Sequence, residues 1–409
     1  MTDSTVPSSA RVPTERLPRL ALTVMAAAVF TAITTEVLPV GLLPIISTDL
    51  GTSQSKVGLL VSMYALIVAV GSVPLAALVA RWPRRRVLCV LLATYAVSNA
   101  AMASTDDYWV ALAARLLGGV AHAGFFGAVI AAAVSIAPAA KTGKAVAFVS
   151  AGNASALALG VPLGTAVGTA FGWRWAFAGC ALLMAVLAGL ILLVLPATQP
   201  APARTDQTPV LAAVRSRPIV LVALMIAVLT LGHYTLYTYL SPLLRHAGIR
   251  AADVSLVLLG YGLAGLVGLV LSSRAVDRRP RKALAQAITA ITFCLLALGS
   301  VPGSLAAAIF VVAWGLAFGA LPTLVQSVAL RAVPDAPDAA PAVVNSMFNV
   351  GIAGGALVGA GEIAITAPPA LALTGAVLVA GSLVVLRLVG RASIPGDQNR
   401  SELSSTRTA

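Results

Sequence analysis

The stretch ARWPRRR, residues 80–86, returns 196 positions later as VDRRPRK, residues 276–282. Each copy is a short cationic run between two long apolar segments. A charge at the centre of a bilayer costs roughly 2.5–3.5 kcal/mol, so each copy marks a turn at a water-facing surface. At the same spacing, GGVAHAGFFG (118–127) stands opposite WGLAFGALPT (314–323). A spacing of 198 sets TAITTEVLPVGLLP (31–44) opposite LTLGHYTLYTYLSP (229–242). Halves repeated in parallel and joined by a loop are one architecture of membrane transporters.

Composition agrees with that reading. Of the 409 residues, 59% are hydrophobic and 10% are charged, whereas soluble domains average about 25% charged. Apolar runs of the length needed to cross hydrocarbon fall at 19–46, 57–80, 87–104, 108–136, 143–171, 174–195, 218–245, 253–276, 283–301, 304–330, 340–366 and 369–390. The fold class expected is therefore all-α and polytopic, with twelve transmembrane helices in two pseudo-symmetric six-helix bundles. A Pro-, Ala- and Arg-rich break, PATQPAPARTDQTPVLAAVRSRP (196–218), divides the spans six and six. The expected organisation is a tail at 1–18, a first bundle at 19–195, a linker at 196–217, a second bundle at 218–390 and a tail at 391–409. A short surface helix near 210–215 is permitted within the linker.

The net charge of +13 reflects topology and not nucleic acid binding. With both termini in the cytoplasm, 22 of the 27 Lys and Arg residues fall inside, as the positive-inside bias requires. The first 18 residues have no apolar core, so the first span is expected to act as an uncleaved insertion signal. Cys89, Cys180 and Cys294 lie in different spans without ligand-like spacing. Neither a disulfide frame nor a metal site is expected. No phosphate-binding loop or catalytic triad is evident, which argues against ATP drive and against an enzyme. GYGLAG (260–265) fits a dinucleotide pattern but lies inside an apolar span with no strand before it.

Four segments carry a resemblance to the major facilitator superfamily, and within it to the twelve-span drug:proton antiporter branch and its arabinose-efflux-permease-like exporters. AALVARWPRRRVL (76–88) resembles the loop after helix two, with Ala80 where an Asp is usual and Pro83 where a Gly is usual. The second copy keeps the acid, Asp277. RLLGG (115–119) is similar to the helix-four motif whose Arg is linked to proton transfer. LGVPLGTAVG (159–168), with Gly160, Pro162 and Gly164, resembles the helix-five motif of exporters, and TEVLPVGLLP (35–44) the acidic helix-one signature. The resemblance implies gating roles for Arg81, Arg84, Arg85, Asp277, Arg278 and Arg281.

Two charges stand within spans. Glu36 lies about 25 Å of helical rise beyond Arg19, near mid-depth, and intramembrane carboxylates usually face a cavity and mark proton or ion pathways. Arg115 sits at a similar depth in the fourth span, so the two are expected to pair directly or through water. Protonation of Glu36 would then release Arg115. His122, two turns below Arg115 on roughly the same face, joins them as a third proton-coupling candidate. The alternative is a static salt bridge between the first and fourth spans. Mid-depth aromatics and amides are candidate substrate contacts: Phe125, Phe126, Asn153, His233, Tyr234, Tyr237, Gln326, Asn345 and Asn349. Trp173 and Trp175 are expected as anchors in the aromatic belt.

The expected function is secondary active export of small organic molecules, such as drugs and antibiotics, by proton antiport through alternating access. Export of sugars, nucleosides or other metabolites is the alternative. Uptake symport or a non-transporting membrane sensor fits the motifs less well. The energy source is a proton gradient with no cofactor, and the partners are the substrate, protons and the bilayer. A monomer in a bacterial cytoplasmic membrane, multi-pass with both termini inside, completes the expectation.

Overall fold

A computed structural model describes residues 17–79, 81–196, 216–276, 279–301, 303–332 and 339–392. Among the described residues, twelve helices are long and apolar enough to cross a membrane. In chain order they are α1 (Arg19–Asp49), α2 (Gln54–Val79), α3 (Arg84–Ser104), α4 (Tyr108–Ile136), α5 (Ala139–Phe171) and α6 (Trp173–Val194). The second six are α7 (Arg217–Tyr237), α8 (Ala251–Ser273), α9 (Pro280–Ser300), α10 (Ser304–Ala332), α11 (Val343–Ile363) and α12 (Pro368–Val389). The permitted helix at 210–215 lies outside the described residues, as do Asp277 and Arg278.

Turn chemistry differs between the two ends of the bundle. At the end away from the arginine loops, four connections turn on glycines with positive φ: Gly51, Gly172, Gly248 and Gly303. That backbone region is open to glycine at no steric cost, which keeps these hairpins short. At the arginine-rich end, helices start on proline instead: Pro83 precedes α3, and Pro218 and Pro280 occupy the first turns of α7 and α9. Proline fits there because its missing N–H would be unpaired in any case.

Prolines also explain three departures from unbroken spans. The seventh predicted span divides at Thr238–Tyr239 into α7 and a short helix, Leu240–His246. Pro242 cannot donate to the carbonyl four residues back. Within α10, the helix re-forms at Leu321 after a break at Ala320, beside Pro322. Within α5, residues Ala156–Gly160 widen into a π-turn, closed by the Val161 N–H on the Ala156 carbonyl. Pro162 leaves the Ala158 carbonyl without its usual donor, and the wider turn absorbs the mismatch.

Packing inside each half repeats one plan. In the first half the main contacts are α3 on α6, α2 on α4 and α1 on α5. In the second they are α7 on α12 and α11, α8 on α10, and α9 on α12. Small residues let the backbones close up, as membrane helices require in the absence of a hydrophobic drive between them. Along α5, a Cβ at Gly160, Gly164 or Gly168 would fall 2.0 Å from Thr34 Oγ1, 2.5 Å from Leu38 Cδ1 and 2.6 Å from Leu42 Cδ1. The exporter-like motif is thus the face that α5 presents to α1.

The halves meet along α2–α11 and α5–α8. Ser55 Oγ donates to the Ala360 carbonyl at 2.6 Å, and Gly58 packs on the Tyr239 hydroxyl, both near the end away from the arginines. At mid-depth, Gly262 of α8 lies against Leu157 and Ala158 in the π-turn of α5. The principal α8 contacts on α5 run through residues 156–171 and not through 142–155. The two helices therefore diverge toward the arginine-rich end. At the other end the seam keeps a recess of about 560 Å³, bordered by Gly41, Thr48 and Asp49 of α1, Thr169 of α5, Ser241 and Val254.

One sequence expectation is corrected at this closed end. Trp173 is 1% exposed and so is no belt anchor, whereas Trp175 is 66% exposed. The positive φ of Gly172 turns the chain so that Trp173 enters α6 facing inward. Its Nε1 donates to Asp49 Oδ2 at 2.8 Å, and Arg174 pairs with both Asp49 and Asp106. These contacts tie α1, the α3–α4 turn and α6 together.

Candidate transport site

The site begins with a proline. Pro39 lies inside α1 and has no N–H for the Thr35 carbonyl, which would be left unpaired in a buried stretch. Arg115 of α4 supplies the missing donor. Its Nη1 donates to Thr35 O at 3.0 Å and its Nη2 to Glu36 O at 2.9 Å, with a longer contact from Nε to Leu60 O at 3.4 Å. The guanidinium also lies 4.1 Å from the centre of the Tyr64 ring, a cation–π contact. With 1% exposure, Arg115 joins α1, α2 and α4 at one level.

This geometry corrects the expected Glu36–Arg115 pair. Arg115 bonds the backbone of Glu36, while the carboxylate meets His122, with Oε2 3.8 Å from Nδ1. The same Nδ1 is 2.9 Å from the Tyr64 hydroxyl, which in turn donates to the Tyr95 hydroxyl at 3.4 Å. The Thr35 hydroxyl donates to Asn99 Oδ1 at 3.1 Å, and Asn99 donates to the Tyr95 carbonyl at 2.8 Å. Glu36 is 7% exposed and His122 5%. At 3.8 Å the acid and imidazole are just beyond hydrogen-bond reach. A small shift would let Nδ1 exchange Tyr64 for Glu36.

Phe126 stacks on His122, with centroids 5.2 Å apart at 27°. Phe125 is fully buried and packs edge-on against Tyr95 and Phe126, so it backs the site from within the first half. Tyr64, Tyr95 and Asn99 were not singled out from sequence. Their signal was present, as large polar side chains within spans whose other residues are mostly apolar.

Across the seam, His233 is the hub of a ring cluster. It stacks on Phe318 at 3.6 Å and on Tyr237 at 5.1 Å, and meets Tyr234 and Trp314 edge-on at 4.8 Å each. Tyr261 adjoins Tyr237 and Trp314. Tyr234 lies within electrostatic range of Glu36. Trp314, Phe318 and Tyr261 were also missed from sequence. Tyr261 falls 197 positions after Tyr64, so the repeat itself could have pointed to it.

The other candidates are dispersed. Asn153 is exposed one turn before the π-turn of α5, and Gln326 is half-buried on α10. Asn345 is exposed and Asn349 buried; Asn349 Nδ2 donates to the Asn345 carbonyl at 3.0 Å. Arg81 is exposed, while Arg84 and Arg85 are half-buried at the start of α3. Arg281 Nη2 donates to the Val389 carbonyl at 3.4 Å, joining α9 to α12.

Twelve spans in two repeats of six, with buried polar groups at mid-depth on both sides of the seam, define a membrane transporter. The chain belongs to the Major Facilitator Superfamily, whose family model matches residues 24–360. It is 36% identical over 377 residues to a Mycobacterium tuberculosis (strain H37Rv) protein named a chloramphenicol efflux pump, covering 87% of this chain and 89% of that one. It is 33% identical over 367 residues to a probable sugar efflux transporter of Mannheimia succiniciproducens, covering 88% and 91%. The fold is also that of a bacterial homologue of the human lysosomal transporter Spinster, solved inward-facing and unoccupied. That match has a TM-score of 0.68 at 15% identity and covers 93% of this chain and 97% of the other. The protein is a multi-pass membrane transporter of an efflux family and not an enzyme.

Proposed function

We propose that this chain exports small neutral organic molecules in exchange for protons, by alternating access across a bacterial cytoplasmic membrane with both termini inside. The observation that supports it most is the Glu36 carboxylate, buried at mid-depth 3.8 Å from His122 Nδ1 and close to the fixed charge of Arg115. In this reading Glu36 carries the proton, and His122 and Tyr64 form the hydrogen-bonding surface that receives or releases it. Arg115 holds the backbone beneath the acid and supplies a constant positive field.

Ionised Glu36 balances Arg115; protonated Glu36 leaves an uncompensated positive charge in a buried site. The two forms therefore favour different degrees of hydration, and so different openings of the seam. In this reading the arginine-rich end is cytoplasmic, and the divergence of α5 and α8 toward it supports an opening to that side. The arginine loops would then act as gates. The names of the relatives divide the substrate between an aromatic antibiotic and sugars, and both are neutral molecules bearing hydroxyls.

The test is transport by everted vesicles carrying wild type or Glu36→Gln at equal protein level. Proton release on adding chloramphenicol or a glycoside is expected for wild type. It should be lost in Glu36→Gln, while gradient-independent exchange of the substrate persists. Undiminished proton release in the variant would remove Glu36 from coupling.

A further inference from the structure

Among the described residues, four of the buried polar atoms without a hydrogen-bond partner fall in one place in the second half: Nδ1 and Nε2 of His233, Oη of Tyr261 and Nε1 of Trp314. They come from α7, α8 and α10 and belong to one ring cluster, with His233–Trp314 centroids 4.8 Å apart and Tyr261–Trp314 5.6 Å apart. His233 and Trp314 are fully buried, and Tyr261 is 5% exposed. A buried polar group without a partner is costly, and native proteins keep few of them. Phenylalanine at 233 or 261 would fill similar or greater space without that cost. Three such residues whose rings touch in series need an explanation beyond packing.

We propose that this cluster is the recognition subsite for a neutral, hydroxyl-bearing molecule with a flat face; the proposal rests on the transport reading above. The donor set carries the chemistry. An indole N–H only donates, a phenol hydroxyl both donates and accepts, and a neutral imidazole does one of each through its two nitrogens. Groups that both donate and accept, such as the hydroxyls of one ligand, answer the four atoms between them. The ring faces of Phe318, Tyr237 and Trp314 offer the apolar walls that a flat ligand ring needs. A cation would suit those faces but not the indole N–H, which points positive charge at the site. An anion would find no fixed positive charge among the described contacts of His233, which are all aromatic. Tyr234, on the same turn of α7, is within electrostatic range of Glu36. A ligand seated here would thus feel the charge state of the acid proposed to carry the proton.

Two sources share this chemistry, a nitroaromatic diol and a sugar glycoside. The test is equilibrium binding of chloramphenicol and of phenyl β-D-glucoside to the protein in lipid nanodiscs, for wild type, Trp314→Phe and Tyr261→Phe. Each variant keeps a ring and loses one polar group. The proposal expects affinity for at least one probe to fall about five- to tenfold in each variant, the size of a net hydrogen bond. Tm should be unchanged or raised in Tyr261→Phe and lowered in Trp314→Phe only by the volume lost. The probe that loses affinity identifies the source. Unchanged affinity in both variants would make the residues structural and overturn the subsite. So would failure of wild type to bind either probe, or binding of tetraphenylphosphonium that depends on these residues in place of the neutral probes. Proton-coupled flux with indifferent binding would remove the subsite and leave the export reading standing. Residue-dependent binding without proton release would do the reverse.

Discussion

Where the first half sets Glu36 of α1 beside His122 of α4, the second half sets Tyr234 of α7 beside Phe318 of α10, at the matching positions of the repeat. Arg115 likewise has the fully buried Val311 as its counterpart 196 positions later. The same backbone plan thus holds charge on one side of the seam and aromatic rings on the other. Partnering differs as well. In the first half, Arg115, Tyr64 and Asn99 all have hydrogen-bond partners. In the second, His233, Tyr261 and Trp314 have polar atoms with none. Residues whose polar atoms are paired hold one geometry, and those whose polar atoms are not await a partner. Duplication supplied two equivalent positions, and divergence gave them unlike chemistry.

The harshest way to break this contrast is Arg115→Lys. Charge is kept, but an ammonium cannot repeat the planar fork that reaches the Thr35 and Glu36 carbonyls. The Glu36 carbonyl keeps the Val40 N–H of its helix, but Pro39 denies Thr35 any other donor there, and a buried carbonyl left unpaired costs about 1–3 kcal/mol. The variant is expected to lose most of its folded protein, read as recovery of a monodisperse peak after solubilisation. Recovery at the wild-type level would show that charge alone, and not the fork, holds α1 to α4.

His122→Phe has a milder effect and makes the first half resemble the second. The ring still stacks on Phe126, so folding should survive, but Glu36 and Tyr64 lose the nitrogen between them. Substrate-driven proton release is expected to fall severalfold, by about the net worth of one or two hydrogen bonds, with binding of the neutral probes retained. Full proton release would show that Glu36 exchanges protons without an imidazole.

How much of this was legible in the sequence depends on how local each cause is. The spans and the repeat were legible because apolar length and arginine placement are local properties that a bilayer enforces. Glu36 and Arg115 stood out for the same reason, as charges in apolar runs. Their relation did not, because depth along a helix says nothing about rotation around it. Even so, Pro39 was a usable signal: a proline four residues after Thr35 frees a carbonyl, and a buried arginine is its natural donor. The ring cluster was only half legible. His233, Tyr234 and Tyr237 share one helix, but Trp314, Phe318 and Tyr261 join them only when α7, α8 and α10 pack. Trp173 was misread because one positive-φ glycine decides whether it faces lipid or protein.

The finest test of the contrast uses the two tyrosines that repeat each other. Tyr64 and Tyr261 are both buried on the second helix of their half, and both lie against rings from neighbouring helices. Their hydroxyls differ: Tyr64 bonds His122 and Tyr95, and Tyr261 has no partner. Removing a hydroxyl that is bonded costs about 0.5–1.5 kcal/mol, whereas removing one that is buried and unpaired costs nothing or gives a small gain. In a chain of this length, 1 kcal/mol moves Tm by roughly 1–2 °C. Tyr64→Phe is therefore expected to lower Tm by about that amount, and Tyr261→Phe to leave it level or raise it. The two variants lose the same atom from the same kind of helix, so size and burial cancel between them. An equal fall in both would mean that the Tyr261 hydroxyl is already bonded in the ligand-free protein, and the asymmetry between the halves would then disappear.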